Sequence, residues 1–141
     1  MKKIMLPFLS VLLLAACSNY GKKVKSGSVE IYYKEGISEP EAQKTADMFD
    51  RLVKQSDPSA TQRKSFQLSK PSDTIMLKMV VDKDKVGAVG DDSFYAIAYM
   101  VSDSIFNGKP VNMILADNKF KAVRTLTYKL PEAAPVEETV D

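Results

Sequence analysis

The chain contains one cysteine, Cys17, and no histidine, and that scarcity limits what it can fold into. No disulfide can close within the chain, and the commonest metal ligand and general base is missing altogether. Zinc sites, Ser-His-Asp chemistry and Cys-His chemistry are excluded on the same ground. Stability has to come from packed apolar faces, so the hydrophobic pattern is the primary guide to structure.

The first sixteen residues stand apart from that pattern. Lys2 and Lys3 give a positive start, and Ile4 to Ala16 follow as an apolar run, shorter than the roughly 20 residues a spanning helix needs. A charged start, a short apolar core and small residues at its end read as a secretory signal. Leu14-Ala15-Ala16-Cys17 resembles the lipobox of bacterial lipoproteins. The resemblance implies that the Cys17 sulfur receives a diacylglycerol, that a dedicated signal peptidase cuts between Ala16 and Cys17, and that the freed amine is acylated as well. Ala15 and Ala16 allow the protease close to the backbone, and a thiolate is the best nucleophile for taking the lipid. Two or three acyl chains give stable attachment where one gives marginal binding, so the implied partner is the lipid bilayer. In that family's sorting pattern an aspartate after the cysteine favours inner-membrane retention. Ser18 therefore points to the outer membrane.

The 20 basic residues include Lys2 and Lys3, so loss of the leader leaves 18 basic against 18 acidic residues. A neutral mature chain of about 125 residues fits one domain with one core. It offers no strong field for nucleic acid, which an exported protein would rarely meet. Residues 17–28, with Lys22, Lys23, Lys25 and two glycines, read as a lipidated tether: a soluble spacer, or a segment whose lysines lie against anionic head groups. Residues 131–141 carry two prolines and four acids and read as a disordered acidic tail.

Between these ends, residues 29–130 alternate strand and helix patterns. Val29, Ile31 and Tyr33 alternate along a strand. Ser38-Glu39-Pro40-Glu41 has the form of a capping box with proline in the first turn. Ala42, Ala46, Phe49 and Val53 then trace an apolar stripe at helical spacing. Residues 65–70 and 74–82 form a hairpin pattern around Pro71-Ser72-Asp73. Asp91-Asp92-Ser93 supplies cap residues for a second helix with stripe Phe94, Ile97, Ala98, Val101 and Ile105, ended by Asn107-Gly108 and Pro110. Residues 111–116 and 119–130 are strands joined at Asp117-Asn118. The expectation is an α+β two-layer sandwich: an antiparallel-rich sheet of about five strands with two helices on one face, in the order β-αββ-αββ. The two αββ units raise an internal duplication.

Candidate interaction residues come from two places. Tyr95 and Tyr99, four apart on a helix apolar nearly all round, share a face rotated from its main stripe; they either pack on the first helix or contact a partner. Tyr32, Met76, Val80 and Ile114 would form an apolar patch on the outer sheet face if Ile31, Leu77 and Met113 point inward, and a one-residue slip would reverse this. Carboxylate pairs Asp47/Asp50, Asp82/Asp84 and Asp91/Asp92 fall where helix faces, caps and strand ends expect them. Asp82-Lys83-Asp84 lacks the remaining ligands of a calcium loop. Residues 86–90 lack the Lys-Ser/Thr of a phosphate loop. The sequence therefore leads to a membrane-anchored envelope lipoprotein with a non-catalytic binding domain, without metal or cofactor, whose partner is an envelope protein. The alternatives are an assembly accessory factor of an envelope complex and a carboxylate-dependent hydrolase.

Overall fold

The computed structural model describes residues 20–130; the expected signal peptide 1–16, the expected lipidation at Cys17 and the expected tail 131–141 lie outside the described residues. Six strands and two helices follow one another as β1 (Lys22–Ser26), β2 (Val29–Tyr33), α1 (Glu39–Ser56), β3 (Lys64–Ser69), β4 (Ile75–Val80), α2 (Asp91–Ile105), β5 (Val111–Ala116) and β6 (Ala122–Leu126). All six strands lie in one sheet in sequence order. The α+β class holds. The strand count and the pairing are corrected: three pairs are antiparallel, while β2/β3 and β4/β5 are parallel.

The extra strand is β1, in the stretch that reads as a tether. Gly27, at φ 54°, turns the chain through the left-handed region where only glycine is unstrained, and β1 then pairs along the whole of β2. One apolar side chain fixes its register: Val24, opposite Ile31 and buried. The lysines around Val24 hide this in the sequence, because an edge strand can be held by backbone hydrogen bonds with little apolar content of its own.

Helix α1 begins as expected. The Glu41 amide donates to Ser38 Oγ at 3.2 Å and the Ser38 amide donates to Glu41 Oε2 at 2.9 Å. Ala42, Ala46 and Phe49 are buried, with Phe49 stacked on Phe66 of β3 at 4.4 Å between ring centres. Helix α2 begins differently, since its cap is Gly90 and no side chain caps it. Asp91 and Asp92 instead occupy the first turn, where carboxylates meet the positive end of the helix. Phe94, Ala98 and Val101 face inward.

One core joins both helices to one face of the sheet, through Val29, Ile31, Phe66, Leu68, Ile75, Leu77, Val111, Met113, Leu115 and Leu126. This placement has a topological consequence. Strands β2 and β3 run one way and β4 and β5 the other, yet both crossovers step in the same direction along the sheet. With both helices on one face, the two β-α-β units are of opposite hand, and one departs from the right-handed rule. The units α1-β3-β4 and α2-β5-β6 share the element order expected of a duplication, and they swing to opposite hands in the sheet.

Candidate functional site

Among the described residues the outer sheet face carries no helix, and its side chains are where the expected patch would lie. The facing is as the alternation predicts: Ile31, Leu77 and Met113 are fully buried on the helix side. The exposure is not. Ile114 is buried at 5%, and Tyr32, Met76 and Val80 are half-buried, so these four form no open apolar patch.

Two segments reach over that face. Tyr20 and Phe120 meet Tyr32 edge-on, the three rings lying 5.1–5.8 Å apart in the arrangement aromatic quadrupoles favour. Gln67 Nε2 donates to the Tyr20 carbonyl at 3.0 Å and Lys78 Nζ donates to the Phe120 carbonyl at 3.0 Å. Phe120 is aimed by its turn. The Lys119 and Lys121 amides both donate to Asp117 Oδ1 at 2.9 Å, and Phe120 is held between them at φ 58°. These backbone amides of Lys121 and Lys119 hold the Asp117 carboxyl below its usual range. The tight turn expected at Asp117-Asn118 is thus a wider loop, which shortens β6 to Ala122–Leu126.

Beside the rings lies a charged cluster that sequence reading missed. Glu30, on the outer face of β2, is 3% exposed. Lys23, Lys25 and Arg63 approach its Oε1 at 3.5, 3.4 and 3.5 Å, and Ser65 Oγ donates to Oε2 at 3.5 Å. No atom hydrogen-bonds Oε1 at short range. Burial pushes the Glu30 carboxyl up, but Lys23, Arg63 and Lys25 together hold it below the ordinary carboxylate range. A signal was present in the sequence: Lys-Val-Lys, then Ser-Gly-Ser, then Val-Glu-Ile alternates across a turn dipeptide, so that the register sets Lys25 opposite Glu30.

On the helix side, Tyr95 and Tyr99 turn away from α1. The cleft between the helices is lined instead by Met48 and Leu52 of α1 with Met100 and Ile105 of α2. The two tyrosines line an open groove of about 860 Å³, with Asp92, Asp103 and Lys129 at its polar margins. Tyr95 is half-buried against the core, while Tyr99 is 40% exposed. Lys129 Nζ stands 5.0 Å above the Tyr95 ring, a cation–π contact that fixes the chain leaving β6 along the groove.

The carboxylate pairs are dispersed in local contacts. Gln43 donates to Asp47 at 3.1 Å, Lys54 to the buried Asp50 at 2.6 Å, and the Asp84 amide to Asp82 at 2.9 Å. Asp91 meets Arg124 of β6 at 2.8 Å. Among the described residues no helix is long and apolar enough to cross a membrane, and no three potential metal ligands come together.

Comparison with known proteins gives one match. No curated protein and no solved structure matches the chain. A model of the AF_1994_N family, described as a family N-terminal domain, matches residues 23–127. That span takes in both helices and every strand but for the first residue of β1, and the chain belongs to the AF_1994_N family of N-terminal domains.

Proposed function

We propose that the protein is a lipid-anchored component of the bacterial envelope, attached through Cys17 to the outer membrane, and that its domain binds another envelope protein without catalysing a reaction. The groove beside Tyr95 and Tyr99 carries this reading. Its lining combines Tyr95, Tyr99, Met100 and Leu130 with Asp92, Asp103 and Lys129, and Tyr99 is 40% exposed. Tyrosines with one apolar and one wet end are enriched at protein interfaces, where they supply contact area at small entropic cost.

The test is photo-crosslinking in intact cells, with a photoreactive phenylalanine analogue at Tyr99. A discrete protein adduct is expected, lost when Ala96→Lys and Asp103→Lys, both exposed in the groove lining, are added while the unfolding midpoint stays unchanged. No adduct, or an adduct indifferent to those substitutions, refutes the binding surface. Cys17→Ala should release the chain from the membrane fraction and abolish incorporation of labelled palmitate. Continued labelling refutes the anchor.

A further inference from the structure

We propose that the Lys23, Lys25 and Arg63 cluster seats the outer sheet face on a bilayer bearing anionic phosphate headgroups, so that the helix layer and its groove point away from the membrane. The proposal rests on the anchor reading of Cys17. Three observations carry it.

The first is the arrangement of charge. Three cations surround one carboxylate, leaving an excess of two positive charges at one spot. The negative member is sunk, its side chain 4% exposed, whereas the cationic side chains are 37%, 60% and 71% exposed. The second is unused donor capacity. The ion pairs to Glu30 are long, at 3.4–3.5 Å, so one carboxylate oxygen gathers three cations by charge and leaves N–H groups on each for other acceptors. A lysine has three donors and an arginine five, and phosphate oxygens are suited to both. The third is reach. Only five residues separate Cys17 from Lys23, so even a fully extended chain places β1 within about 20 Å of a lipidated Cys17. Because Lys22–Ser26 form a strand of the sheet and not a free spacer, the whole domain is held that close to Cys17.

Edge lysines also guard a sheet against pairing with another chain. That role alone is indifferent to lipid charge, which gives the test its contrast. The lipidated full-length protein is reconstituted into vesicles of phosphatidylcholine alone or with about 30% phosphatidylglycerol, and lysine acetylation is followed by mass spectrometry. Lys44, exposed on α1 beside the cleft between the helices and so on the layer that points away from the membrane, is the internal reference. Acetylation of Lys23 and Lys25 relative to Lys44 is expected to slow about fivefold in the anionic vesicles, and to recover in about 0.5 M salt. Equal rates in both vesicles overturn the proposal. Equal protection by inorganic phosphate on phosphatidylcholine vesicles overturns it too, and marks a site for free phosphate. Flotation separates the two readings: a chain that floats with both vesicles but labels equally loses the seat and keeps the anchor, whereas one that fails to float loses both.

Discussion

The two faces of the sheet are covered by different means. The inner face is sealed by two helices whose apolar stripes merge with it into one core, and Leu68, Leu77, Met113 and Leu115 there have no solvent contact. The outer face is covered by single side chains, each tied by one or two polar contacts: Tyr20 by Gln67, Phe120 by Lys78, and the lysines by Glu30. The difference shows how a sheet can hide apolar atoms without a second layer. Rings from two loops shield what alternation leaves outside, and long cationic side chains cover the remainder with their methylene stems. Such a face is cheaper to open than the inner one.

Leu68→Ala on the inner face should have the largest effect, lowering stability by about 3–5 kcal/mol in urea denaturation, because the surrounding core cannot collapse into the cavity. Gly27→Ala should follow, at about 2–3 kcal/mol. Its Cβ would collide with Asp50 Oδ1 and its φ stays at +54°, so both the hairpin and its seat on α1 are strained. Phe120→Ala, on the outer face, should lose only about 1–2 kcal/mol; a loss equal to that of Leu68→Ala would make the two faces energetically alike. The smallest effect is a pH dependence. The folded Glu30 carboxyl titrates below its unfolded value, so its contribution is complete above the ordinary carboxylate range and is lost as pH falls through the folded value. Denaturation midpoints measured from pH 6 to 3 should fall less steeply for Glu30→Gln than for the unaltered protein. Identical slopes would remove the charge-gathering role assigned to Glu30.

Much of this was legible in the chain because it depends on neighbours in sequence. The capping box at Ser38–Glu41 is a four-residue contact, and the stripe Ala42-Ala46-Phe49 follows from helical spacing. The inward facing of Ile31, Leu77 and Met113 follows from strand alternation. Strand β1 was legible only in part: Lys-Val-Lys and Val-Glu-Ile alternate across the Gly27-Ser28 turn, but one apolar residue, Val24, among lysines is too short a pattern to tell a strand from a tether. The burial of Ile114 was not legible, since strand alternation gives the face a side chain lies on and not what else packs over that face. The tyrosine pair lay between these cases. Their common face follows from a spacing of four, but only packing decided that this face turns from α1 toward Lys129.

By itself the sequence determined both helices, the strands other than β1, their inner faces and the lack of a disulfide within the chain or of histidine chemistry, since these follow from residue identity and local spacing. Only the tertiary structure decided that the crossover pairs are parallel, that the two β-α-β units have opposite hands, and that Glu30 gathers Lys23, Lys25 and Arg63 at one point. The physical reason is common to all three. Strand partners and ion pairs between distant residues depend on which way each crossover swings, and a local hydrophobic pattern is identical for either direction.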